Sequence, residues 1–163
     1  MQAMTILRRC RKAKQDLQRL DLQLERRNDA MRAFGAIRMD DIGGSRGGGG
    51  SDRMARMSAE IDEIERAIQD RKEARMAEVG SAIQLIDMLE DDMAADVLYR
   101  YYVTGDGIAG ISRAIPCDRS YVQRKKKDGE SAMRQLAAET VAETLPGWYL
   151  VKWKEEEDED GEG

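Results

Sequence analysis

Apolar residues recur every seven positions from the start of the chain: Ala3, Cys10, Leu17, Leu24 and Met31, with Ile6, Ala13, Leu20 and Phe34 offset by three. That spacing lays apolar side chains along one stripe of a helix, and the stripe is covered only by a facing helix. The pattern predicts a helix over residues 3–38. It ends in GGSRGGGGS, residues 43–51, where the backbone entropy of so many glycines opposes a helix and the reading is a flexible linker. A second seam, Met54, Met57, Ile61, Ile64 and Ile68, predicts a helix over 52–79. Two such helices can fold back as an antiparallel hairpin within one chain, or the same seams can pair between two copies. Periodicity does not choose between them.

The rest of the chain reads as shorter helices. Gly80 is expected to interrupt or bend the second helix, with Ser81 and Gln84 as a capping box that opens a new one. Asp91 or Asp92 caps the next helix, which carries Val97, Leu98, Tyr101 and Tyr102, and Gly105-Asp106-Gly107 makes a turn. Residues 108–115 form a short helix with Ile108, Ile111 and Ile115 inward, broken by Pro116-Cys117, after which Asp118 caps a long helix to about Glu139. Trp148, Tyr149, Leu150, Val151 and Trp153 read as a short strand or extended segment that docks on the body or on a partner, ahead of a flexible acidic end. The expected fold class is therefore all-α: a helical-hairpin arm (1–79), a helix-turn-helix domain (80–139), and an apolar segment with an acidic flexible tail (140–163).

Charge narrows the function. Charged residues make up 36% of the chain and aromatics 5%, a balance suited to solvent-washed helices. Residues 152–163 hold seven acids against Lys152 and Lys154, whereas residues 1–27 carry eight bases against three acids. Residues 81–98 carry five acids and no base, and the acidic patch at 87–96 reads as a solubility feature ahead of a surface for a basic partner. No apolar run reaches membrane-spanning length, no secretion signal opens the chain, and Cys10 and Cys117 lack metal-ligand spacing. A cytoplasmic setting is expected, with both cysteines as small core residues. Histidine is absent, the carboxylates show no ligand spacing, and the glycine run lacks the Gly-Lys-Ser/Thr ending of a phosphate loop. No catalytic, cofactor-binding or metal-binding residue is assigned, and an enzyme is not expected.

The strongest functional signal runs from Met93 to Leu136: helix, turn, short helix, tight turn, basic helix. This succession is how a helix-turn-helix offers its second helix to the major groove. Ile111, Ile115, Cys117 and Val122 are spaced to hold the two helices together. Arg119, Ser120, Tyr121, Gln123 and Arg124 fall in the first turns of the second helix, where side chains reach base edges; Arg pairs bidentately with guanine and Gln with adenine. Lys125, Lys126 and Lys127 follow, suited to phosphate oxygens. From Asp118 to Arg134 the helix carries six bases and three acids.

The run from Ile83 to Leu136 resembles the sigma-70 region-4-like module of phage and prophage transcription regulators of the ArpU and RinA type. The likeness rests on IQLIDMLEDD, VLYRYYVTG, the turn with DRSYVQRKKK, and the closing AMRQL. Ile111, Ile115, Cys117 and Asp118 take the family's Ile, Leu, hydrophobic and Ser places in the turn region. Ser112 stands for the usual Ala, Pro116 for Gly, and Gly110 for an acid. The resemblance implies sequence-specific binding of double-stranded DNA in phage or prophage transcription control, within the bacterial host cell. RNA polymerase and a second copy of the chain are further candidate partners. Two other functions fit the pattern: a small-terminase-type subunit that recognises DNA for packaging, and an interaction protein that binds polymerase or a sigma factor.

Overall fold

A computed structural model describes residues 1–40 and 49–161, with the side chains of 38–40 left aside; the expected linker positions 43–48 and the last two residues lie outside the described residues. The protein is all-helical. Its elements are α1 (Ala3–Asp40), α2 (Gly49–Ile86), α3 (Asp92–Leu98), a π-helical continuation (Tyr99–Thr104), α4 (Ile108–Ala114), α5 (Arg119–Arg134), α6 (Ala138–Glu143) and α7 (Gly147–Gly161). Among the described residues there is no strand, and no helix is long and apolar enough to cross a membrane.

The chain divides into two compact units, Gln15–Lys72 and a larger one built from Met1–Lys14 with Glu73–Gly163. This partition cuts across the expected division at residues 79 and 80. In the smaller unit the two seams close on each other within one chain. Asp16 pairs with Arg71 at 3.9 Å, Arg27 with Glu60 at 3.0 Å, and the Arg53 guanidinium lies 4.9 Å over the Phe34 ring. Partner numbers fall as α1 numbers rise, so the pair is antiparallel. Among its described residues, Leu17, Ile61 and Ile68 are buried.

The larger unit gathers Ile6, Leu7 and Cys10 of α1, Leu85 of α2, Leu98 of α3, Met133 of α5 and Val141 of α6 into one core. Asp91 starts α3, its Oδ1 accepting from the amides of Met93 (3.0 Å) and Ala94 (3.1 Å) and so satisfying two N–H groups that a helix start leaves open. The wider π-helical turns end at Gly105, whose φ of 85° is the left-handed conformation that glycine adopts without strain. Carbonyls left unpaired there are taken up by the basic start of the chain. Arg11 Nη1 donates to Tyr101 O (2.5 Å) and Asp106 O (3.0 Å), and Lys14 Nζ donates to Thr104 O.

Several local expectations are corrected. Gly49, Gly50 and Ser51 belong to α2 rather than to the linker, and α2 passes through Gly80 without a break. A glycine inside a helix costs about 1 kcal/mol. Around Gly80 that cost is offset by packing, since Glu78, Ser81, Ala82 and Leu85 on the same helix are all fully buried. Ser81 does not cap; its hydroxyl is hydrogen-bonded to that of Thr144. Next, α5 stops at Arg134 instead of reaching Glu139. A straight continuation would carry Val141 about 12 Å along the axis beyond Met133, whereas the turn after Gln135 lets both reach the same core.

Finally, residues 147–161 form helix α7 where the sequence reading expects an extended segment and a flexible tail. Tyr149, Trp153 and Glu156 recur at helical spacing and meet one residue of α1. Arg9 donates to Tyr149 Oη (3.3 Å) and Glu156 Oε2 (2.9 Å), and its guanidinium stacks 3.9 Å over Trp153. Tyr149 Oη donates in turn to the buried Glu78 Oε1 at 2.7 Å. Burial, and then the bond to Glu78, raise the Tyr149 pKa above its ordinary value of 10.0.

The closest approach in this unit lies between α3 and α5. A Cβ on Gly129 would stand 2.8 Å from Cδ1 and 2.9 Å from Cγ of the fully buried Leu98. Gly129→Ala should therefore lower stability by about 1–3 kcal/mol, as overpacking does in tight cores, despite the better helix propensity of alanine. Thermal unfolding against wild type measures this, and an unchanged or raised melting temperature would mean that Leu98 has room to move.

Candidate nucleic-acid interface

Helices α4 and α5 are held by a small cluster of their own. Val97, Ile111 and Val122 are its buried centre, and Tyr101, Ile108, Ile115 and Cys117 pack around it. The residues expected to hold the two helices together are thus in place. Ser112 Oγ donates to Cys117 O at 2.5 Å and pins the turn between them. Asp118 occupies the N-cap position in extended geometry, and its carbonyl accepts the Val122 amide at 3.1 Å. Its side chain makes no capping bond, contrary to the expectation that Asp118 would cap α5 as a side-chain acceptor.

Val122, Gly129, Glu130 and Met133 form the inner side of α5. With that side seated, Arg119, Ser120, Gln123, Arg124 and Lys127 are all exposed. They follow one another at successive turns, so their ends can reach a single ligand surface. Asp128, an exposed acid, comes only after Lys127. Tyr121 is half-buried at the edge of this stripe, with the Arg124 guanidinium 5.0 Å over its ring and the Lys125 ammonium at 5.8 Å.

The three consecutive lysines do not share one environment. Lys125 Nζ lies 2.7 Å from Asp91 Oδ2, the second oxygen of the carboxylate that caps α3. The bond to Lys125, together with that from the Ala94 amide, lowers the Asp91 pKa, and Asp91 raises that of Lys125. Lys126 Nζ sits 2.5 Å from Glu130 Oε1 and 4.5 Å over the Tyr101 ring. Lys127 alone of the three is exposed.

Glu130 is nearly buried at 8% exposure and also accepts from Tyr102 Oη at 2.5 Å, with Arg134 Nη2 3.7 Å from its other oxygen. Burial pushes its pKa up, but the bonds from Lys126 and Tyr102 and the nearby positive charges outweigh this, and the carboxyl is held below its ordinary 4.5. The sequence reading missed Glu130 and Asp91 as partners of the lysines. The spacing of Lys126 and Glu130, four apart on a helix, was a readable signal; the pairing of Lys125 with Asp91 joins residues 34 apart in sequence and had none. Asp96, also in the acidic patch, pairs with Arg100 at 3.2 Å. No family model matches the chain, and comparison with curated proteins and with solved structures found no match either.

The depressed Glu130 pKa has a definite consequence for stability. A carboxylate whose pKa is lower folded than unfolded stabilises the fold above the unfolded value, and that contribution is lost as pH falls through the folded value. Wild type should lose stability as pH drops below the ordinary 4.5. Glu130→Gln should be less stable at pH 7, where Lys126 and Arg134 lose their counter-charge, and should fall less steeply on acidification. Urea unfolding of both proteins at pH 7 and below the ordinary carboxylate range reads the difference. Parallel losses would mean that Glu130 does not govern the acid limb.

Proposed function

We propose that the protein binds double-stranded DNA sequence-specifically, with α4, the turn and α5 serving as a helix-turn-helix and α5 entering the major groove. The observation that carries the reading is the outer face of α5. Its first two turns present Arg119, Ser120, Gln123 and Arg124 to solvent, and the next turn adds Lys127. The major groove admits a helix, and its base edges offer acceptor pairs to Arg and mixed donor–acceptor pairs to Gln. Arg119, Ser120, Gln123 and Arg124 are the base-reading residues in this account, and Tyr121 steadies Arg124 from the side. Lys127 is the principal phosphate contact. Lys125 and Lys126 contribute positive potential while paired with Asp91 and Glu130, and engage phosphate only by exchanging those partners.

The resemblance to sigma-70 region-4-like regulators gives the biological setting: transcription control in a phage or prophage, in the cytoplasm of the bacterial host. This role requires no cofactor and no catalytic group.

Titration of a duplex selected from a random pool, beside a scrambled one, tests the assignment. Arg119→Ala or Gln123→Ala should cost about 1–3 kcal/mol on the selected site and relax its sequence preference. Lys127→Ala should weaken both duplexes alike and flatten the log–log salt dependence by about 0.9 for each phosphate no longer neutralised. Equal losses on both duplexes for every substitution would reduce α5 to an electrostatic grip. No binding at low salt would end the DNA-binding reading.

A further inference from the structure

The hairpin of residues 15–72 leaves its own seam poorly covered. Leu20, Leu24 and Met31 on α1 and Met54, Met57 and Ile64 on α2 are only half-buried, and Leu22 is 53% exposed. Two helices shield a seam along the line where they touch and leave both flanks of it open to water. Apolar surface of this extent along a regular pair of helices is the kind that further helices cover in a bundle.

The charges indicate what covers it. Residues 26–37 with 49–61 carry five arginines and three acids, net +2, whereas residues 15–25 with 62–72 carry seven acids and four bases, net −3. The antiparallel pairing places these two sets at opposite ends of the hairpin. A uniformly acidic or basic partner would match one end and be repelled by the other. A second hairpin turned end for end matches both, because its basic half lies on the acidic half of the first and the reverse. Such a two-fold contact uses the same surface on both chains.

We propose that the hairpin is a self-association surface on which a second copy of this chain lies head to tail, completing a four-helix bundle. The exposed ends provide the test in the full-length protein. Arg32→Glu with Arg56→Glu reverses the basic half, and Glu63→Arg with Glu65→Arg reverses the acidic half; all four positions are exposed. Sedimentation equilibrium of wild type should give twice the 18.4 kDa of one chain. Each double variant should raise the dimer dissociation constant at least tenfold while keeping wild-type helicity by circular dichroism. Mixing the two variants should restore the dimer, since each then meets its complement. A wild-type monomer, a larger ring, or a variant mixture that stays monomeric would overturn the proposal. An undiminished dimer in the Arg32/Arg56 variant would also overturn it, because a same-direction pairing sets like charges together before and after that reversal.

Discussion

The seating of α5 on α3 at Gly129 governs what the larger unit shows to its surroundings. Leu98 occupies the space that any side chain at position 129 would need, so the two helices come closer there than a Cβ allows. That contact turns Val122, Glu130 and Met133 inward with it. Once these residues face the core, helical geometry sends Ser120, Arg124 and Lys127 outward, while Arg119 and Gln123 lie toward the Glu130 side and are exposed in the first turns of the helix. The candidate interface is therefore a consequence of packing on its opposite side. A change of helix rotation by one residue would carry the outer stripe around the axis by about 100°, given 3.6 residues per turn.

Much of the positive charge near the start of the chain and on α5 works inside the fold. Arg11 and Lys14 neutralise carbonyls at the end of the π-helical turns, and Arg9 joins Tyr149, Trp153 and Glu156 of α7. Lys125 and Lys126 answer Asp91 and Glu130. The more exposed of these pairs, such as Arg9 with Glu156, add little to stability, because water screens them. The buried ends of the networks matter more, since Glu78 and Glu130 are withdrawn from water, which cannot replace a hydrogen bond lost there. These bonds orient α5 and α7 more than they strengthen them. They also separate basic residues that serve the architecture from those available to a ligand, a distinction that a count of charges along α5 cannot make.

The heptad seam, a cap at Asp91 or Asp92, the α4–α5 cluster and the all-helical class were legible in the sequence, and the structure chose Asp91. Each is written in residues within a turn or two of one another, and local backbone preference and helical period follow from such neighbours. Tyr149, Trp153 and Glu156 also repeat at helical spacing, and in α7 that period prevails over an apolar and acidic composition that by itself suggests an extended segment and a flexible tail. What tertiary structure decided was of another kind. Gly80 remains helical because the residues around it are buried, α5 ends where Met133 and Val141 must meet one core, and two of three adjacent lysines are paired within the fold. Each outcome depends on a partner brought near only by folding, and no local spacing records whether a distant carboxylate, a packed leucine or water will be waiting there.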